Sequence, residues 1–231
     1  MSDSQQNISP KAMARRVYKR FFGVSMGEYE RSLRAACAGC HTLLDVGCGE
    51  KSPLERVARR MEHSVGLDAF APAIEASRAL GIHDDYVLGE AQHLSELFKP
   101  KSFDCVAATD LIEHLERGEG LKLLDAMESL ARRRVVIFTP NGFLEQEPFG
   151  GNEFQRHRSG WSVSEMRARG YRVIGINGWK PLRGERALVR KPRFLFEPIS
   201  FLSQPLMHQR PELAFQILCV KYLQPSSEPA R

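Results

Sequence analysis

The residues best suited to chemistry in this 231-residue chain are acids, glycines and histidines gathered at the ends of short apolar runs. Leu43-Leu44-Asp45-Val46-Gly47-Cys48-Gly49-Glu50 is an apolar run that closes on an acid and two glycines. Glycines let the backbone pass close to a ligand, and the free N–H groups of such a loop, with the N-terminus of a following helix, favour a carboxylate or phosphate. No Gly-Lys-Ser/Thr follows at Walker A spacing, and the GxGxxG of dinucleotide binders is missing. Asp68 ends a second apolar run, Val65-Gly66-Leu67-Asp68, and Glu90-Ala91 follow a third, Leu88-Gly89. An ionised carboxylate only accepts hydrogen bonds, which suits a ligand diol or amine. Farther on stand Asp110, Glu113 and His114, then His157 within Gln155-Arg156-His157-Arg158-Ser159-Gly160-Trp161. Histidine titrates near neutral pH and is the usual side chain for moving a proton. Glu113-His114 reads equally well as a helix start, with the acid favoured by the dipole and the imidazole used in packing.

The elements that must position these groups alternate. Strands are expected at Thr42 to Val46, Ser64 to Asp68, Tyr86 to Leu88, Phe103 to Ala108 and Arg134 to Phe138, then at Tyr171 to Ile176 and Phe215 to Tyr222. Between them, helices are expected at Pro53 to Glu62 with Ser52 as N-cap, at Pro72 to Leu80 with a stop at Gly81, at Gly120 to Ala131 and at Ser162 to Arg169. Leu121, Leu124, Met127 and Leu130 recur every three residues, one stripe on one helical face. Strands separated by helices of this length imply an α/β fold with a mostly parallel sheet and helices on both faces. Lys11 to Ala38 is a basic amphipathic lead-in. Pro181, Pro192, Pro198, Pro205 and Pro211 argue against a long helix between Lys180 and Pro211, and predict an irregular lid with a short apolar helix near Phe194 to Leu202. This divides the chain into a helical lead-in (residues 1–41), a core (42–179) and the lid with a final strand (180–231).

Composition narrows the setting. With 42% hydrophobic and 26% charged residues the chain is an ordinary globular one. It has no apolar run long enough for a transmembrane segment and no secretory signal at its start, so a cytoplasmic protein is expected. Five cysteines form no disulfide framework; Cys37-x-x-Cys40-His41 could be half a zinc site or a redox pair, but small apolar residues at a helix end are the preferred reading. The net charge of +5 concentrates between Gln155 and Arg193, which favours an anionic partner. Trp161 and Trp179 could stack on a ligand, although filling the core is the commoner use.

Together these segments resemble class I S-adenosylmethionine-dependent methyltransferases, over roughly Thr42 to Ile176. The first run is similar to their motif I, with Lys51 in place of a third glycine. Val65 to Asp68 resembles motif II, Leu88 to Ala91 the loop after strand three, and Phe103 to Leu115 motif IV beside the transferred methyl group. The Thr139-Pro140-Asn141-Gly142 and Gln155 to Trp161 segments resemble a bacterial subgroup. The resemblance implies a Rossmann-like sandwich on a seven-stranded sheet. It also implies S-adenosylmethionine held by Asp45, Gly47, Cys48, Gly49, Asp68, Glu90, Ala91 and Asp110, with Asp68 on the ribose hydroxyls and Glu90 on the adenine amino group. Methyl transfer to a hydroxyl needs alignment and removal of a proton, for which His114, His157 or Glu113 would serve. Asp110-x-x-Glu113-His114 also has the spacing that contributes divalent-metal ligands in ubiquinone-biosynthesis and small-RNA methyltransferases. His157 could add a ligand, and the set would suit Mg²⁺, Mn²⁺ or Zn²⁺; catalysis without a metal is the preferred reading. The expected acceptor is a small or medium polar molecule, free or carrier-linked and anionic if the basic run contacts it. RNA ranks second because few aromatics interleave the cations, and a non-catalytic interaction subunit is the rival outside the enzymes.

Overall fold

The computed structural model describes residues 27–148, 153–184 and 188–223. Seven strands form one sheet: β1 (Thr42–Val46), β2 (His63–Asp68), β3 (Asp85–Leu88), β4 (Phe103–Thr109), β5 (Ala131–Pro140), β6 (Arg172–Trp179) and β7 (Ala214–Tyr222). Their order is β3-β2-β1-β4-β5-β7-β6, and only β7 runs antiparallel to its neighbours. Order reverses between β1 and β4, so their carboxyl ends open the crevice where ligands settle in such sheets. The strands are buried on both faces, and the core accordingly falls into two layers. One gathers Leu44, Val106, Leu124, Met127 and Trp161, the other Leu33, Leu43, Leu54, Val136 and Phe138.

The helices are α1 (described residues 27–36), α2 (Glu55–Ala58), α3 (Ala71–Ala79), α4 (Leu94–Leu97), α5 (Arg117–Leu130), α6 (Val163–Ala168) and α7 (Arg193–Gln209). Helix α3 ends at the left-handed Gly81 as the sequence predicts. The capping box Ser162–Glu165 starts α6. All five cysteines are free thiols, Cys37 buried at the end of α1. The lead-in and the chain's end fall partly outside the described residues.

Two expectations are corrected. The helix expected over Pro53 to Glu62 is only the single turn α2, because Glu62 N–H already bonds the His41 carbonyl and His63 opens β2. Between Lys180 and Pro211 the structure has a 17-residue helix, α7, with Pro198 and Pro205 inside it. The two prolines stand seven residues apart, two helical turns, both on the exposed side, so neither ring intrudes on the face packed against the sheet.

Candidate functional site

The Gly47–Gly49 loop is shaped by its own backbone. Gly47 and Gly49 are left-handed (φ 73° and 59°), and the N–H groups of Gly47 and Cys48 both donate to the Leu67 carbonyl (2.7 and 3.0 Å). A Cβ on Gly47 would stand 2.9 Å from Leu111 Cδ1. Asp68, at the end of β2, accepts from Gly49 N–H at one oxygen (2.8 Å) and from Phe70 N–H at the other (2.9 Å), tying the two loops together while remaining half-buried.

Below the loop lies a second layer. Asp45 is fully buried; one oxygen accepts from the Ser52 hydroxyl and meets His83 Nε2 at 3.1 Å, and Oδ1 has no partner. His83 is fixed from its backbone, whose N–H donates to the Tyr86 hydroxyl (3.0 Å), which in turn donates to the Ser77 carbonyl (2.8 Å). Cys48 faces the same layer, where burial pushes its thiol far above the ordinary range. Asp45 and Cys48 therefore shape the loop from beneath, while Gly47, Gly49, Asp68, Glu90 and Ala91 line the cavity above.

At the end of β4 the chain turns through Asp110, left-handed at φ 50°. Asp110 Oδ1 accepts from Gln216 Nε2 (3.0 Å), whose Oε1 accepts from Asn177 Nδ2 (2.5 Å). Asn177 reaches this chain because a bulge between Ile176 and Trp179 re-aims β6. The next residues form a 3₁₀ turn, Ile112–His114. Glu113 is buried and accepts from the Thr139 hydroxyl (2.9 Å). Its backbone carbonyl accepts from Arg158 and Ser159 N–H (2.8 and 3.0 Å), bringing the His157 segment alongside. The Ser159 hydroxyl donates to the Ile112 carbonyl, and Trp161 locks the segment with its buried indole under the Arg117 guanidinium. A Cβ on Gly160 would sit 2.3 Å from Phe143 N, so only glycine lets the two strings pass.

Glu113, His114 and His157 each offer a ligand atom, all within 4.8 Å of one another. His114 Nδ1 lies 3.2 Å from the Arg156 carbonyl and His157 Nδ1 2.6 Å from that of Leu144, so each Nδ1 carries the proton and each Nε2 keeps its lone pair. Burial drives these groups toward neutrality: it lowers His114 to about 4 and lowers His157. It also raises Asp110 to about 7 and Glu113 well above the carboxylate range. Asp110 stands next to the trio, not in it, its oxygen engaged by Gln216.

Both ends face one cavity of about 1620 Å³, larger than the pocket of a single drug-sized molecule. Tyr29 of α1 also lines it; its ring lies 4.3 Å from that of Phe138, and its buried hydroxyl has no partner. Burial before all else holds that phenol protonated. Tyr29, Phe70, His83, Asn177 and Gln216 were missed by sequence reasoning, since none falls in a motif, and Ser52 and Thr139 were read only as a helix N-cap and as part of the Thr139–Gly142 segment. The basic run offers less than its charge suggests: Arg156 pairs with Glu147, Arg158 with Glu116, Arg167 with Glu212 and Arg169 with Asp125. Trp161 fills the core as expected, whereas Trp179 is 41% exposed.

Residues 44–137 match a family described as a methyltransferase domain. The ubiquinone biosynthesis O-methyltransferase of Hahella chejuensis (strain KCTC 2396) is 35% identical over 86 residues, 36% of this chain and 35% of that protein. The match thus spans about a third of that relative's length. Among solved structures, a SAM-dependent methyltransferase from Archaeoglobus fulgidus has a TM-score of 0.55 at 17% identity, covering 90% of this chain and 98% of its own. Magnesium protoporphyrin IX methyltransferase from Synechocystis PCC 6803, with bound SAM, has a TM-score of 0.52 at 13% identity, covering 96% and 87%.

Proposed function

We propose, for a chain whose residues 44–137 are a methyltransferase domain on the class I S-adenosylmethionine-dependent fold, that it methylates a hydroxyl oxygen of a small or medium polar acceptor. One observation carries this reading: the glycine loop with Asp68 and Glu90, and the Glu113–His114–His157 trio, line the same cavity at the carboxyl ends of adjacent strands.

The residues present suit the cofactor. The Tyr29 hydroxyl has no partner and is available to its amino-acid end, and Gly49, with nothing within 4 Å of a Cβ, leaves room beside the loop. Asp68 has lone pairs to spare for the ribose hydroxyls, Glu90 accepts from the adenine amino group, and Phe70 and Leu111 supply apolar wall. When bound, S-adenosylmethionine supplies an electrophilic methyl group. The chain's own task is then to orient the acceptor and take its proton. His114 and His157, both neutral, present Nε2 lone pairs to a hydroxyl, and the Glu113 backbone carbonyl ties the His157 segment to the turn that carries His114.

The trio also favours a second reading. Two imidazoles whose Nδ1 protons are fixed by carbonyls, with a carboxylate between them, are a donor set for a divalent ion, with Glu113, His114 and His157 as ligands; a bound ion would lower the acceptor hydroxyl's pKa. Because four arginines of the basic run are engaged in ion pairs, a polar acceptor fits better than a polyanion such as RNA.

Calorimetry with S-adenosylhomocysteine tests the first reading: saturable binding to the wild type, lost or weakened in Asp68→Ala, is expected. Absence of binding to the wild type at millimolar ligand would sink it and leave a non-catalytic subunit. Chelation separates the two catalytic readings: activity that falls with EDTA and returns with Zn²⁺ or Mg²⁺ supports the metal, and activity indifferent to EDTA assigns proton transfer to the histidines alone.

A further inference from the structure

Helix α7 is mounted inside out. Its buried face carries Ser200, Gln204 and Met207, two of them polar. Gln204 accepts from Gly178 N–H (2.8 Å) and donates to the Gly175 carbonyl (2.9 Å), and Ser203 accepts from Trp179 N–H (3.1 Å). The helix lies so close to β6 that a Cβ on Gly175 would sit 2.2 Å from the Met207 carbonyl oxygen, and one on Gly178 2.3 Å from Ser200 Oγ. Rotating α7 to hide its apolar side would break these bonds and drive bulky side chains into β6, so the orientation is built in.

The outward face is correspondingly apolar. Leu195, Ile199, Leu202 and Leu206 follow one another at helical spacing, with Phe194 on the flank; Phe194 is 83% exposed, Leu202 73% and Leu206 54%. Scattered surface leucines need no explanation, but a continuous helical stripe of them does. Charge around the stripe is mostly positive. From Leu188 to Arg210 the cations are Arg190, Lys191, Arg193 and Arg210 against one carboxylate, Glu197, which stands one turn from Arg193 on the side away from the stripe. No helix of the described residues is long and apolar enough to cross a membrane. An apolar face with basic residues at its ends is the pattern of a helix lying in the plane of a bilayer surface, with leucines among the acyl chains and cations at anionic headgroups.

We propose that the outward face of α7 docks this protein on an anionic lipid bilayer. The mount is next to the cavity: Asn177, which lines it, precedes Gly178, whose N–H Gln204 holds. Docking would therefore bring the acceptor end of the cavity to the membrane.

The test is sedimentation of the full chain with vesicles of phosphatidylcholine alone and of phosphatidylcholine mixed with phosphatidylglycerol. The wild type is expected to pellet with the mixed vesicles, less so as salt rises, and Leu202→Asp to lower the bound fraction about tenfold. Lys191→Glu with Arg193→Glu should remove the preference for the anionic mixture. Thermal unfolding of each variant is expected to match the wild type, because these side chains face outward. Trp179, beside α7 and one of two tryptophans, supplies a second readout: its emission should shift to the blue on mixed vesicles for the wild type and stay put for Leu202→Asp. A wild type that stays in the supernatant with both vesicles overturns the proposal. So does self-association of the wild type that Leu202→Asp abolishes without vesicle binding, which would assign the face to a second copy. S-adenosylhomocysteine binding does not depend on this surface, so failure here leaves the methyltransferase reading untouched.

Discussion

The two ends of the cavity are built by different means. At the glycine-loop end, a tight backbone turn and the carboxylates of Asp68 and Glu90 make the surface, and Asp68 links its own loop to Gly49 directly. At the other end, Glu113 and His114 meet His157 only because the Ser159–Trp161 string is pinned to the Ile112 and Glu113 carbonyls. The first end is open to water; the second is dry enough that burial pushes both imidazoles and both carboxyls toward their neutral forms. A half-exposed loop suits the proposed cofactor site, and a dehydrated corner suits the proposed step in which a proton leaves a hydroxyl.

The sharpest way to break this contrast is His114→Ala. Turnover should fall by about 10²–10⁴-fold while S-adenosylhomocysteine affinity stays within about twofold; affinity falling in parallel would merge the two ends into one unit. His83→Ala removes a partner of the fully buried Asp45 and should cost about 3 kcal/mol in urea unfolding, with weakened cofactor binding because Asp45 supports the glycine loop. Unchanged stability would show that the Ser52 hydroxyl suffices. Asp68→Ala should weaken cofactor binding by about 10–100-fold with turnover at saturation nearly intact. The smallest effect expected is in Gly160→Ala, about 1–3 kcal/mol of stability from the clash with Phe143 N. Its activity should fall through the displaced His157 while calorimetry with S-adenosylhomocysteine is unchanged, and an active variant would uncouple the string from the trio.

Legibility follows the same division. Strands β1 to β5, Asp68 and Glu90 could be read off because each lies at the end of a short apolar run, where local pattern and function coincide. His83 carried no signal, standing 38 residues from the Asp45 it meets. Nor did Tyr29, whose place depends on α1 packing against Phe138. The expectation for residues 180–211 failed on a sound local rule. Prolines do oppose helices, but two of them spaced on one exposed face cost little once Gln204 and Ser203 anchor the other. The basic run was legible only in part, since charge counted along the chain ignores the carboxylates that folding brings beside Arg156, Arg167 and Arg169.

The order of strands and helices, the parallel sheet and the glycine loop at its switch point were determined by hydrophobic periodicity and turn residues, which act over a few positions. Whether Glu113, His114 and His157 converge, what holds Asp45, and which way α7 faces were decided by contacts between segments 40 or more residues apart in several cases, such as Arg158 N–H on the Glu113 carbonyl. Such contacts depend on side-chain volume and on hydrogen bonds between distant strands, neither of which leaves a periodic trace in the chain. The feature read first, Asp45 before two glycines, thus marks the end of the cavity proposed for the cofactor. Folding then placed a buried histidine beneath it and a dry cluster of imidazoles and carboxyls across the cavity from it.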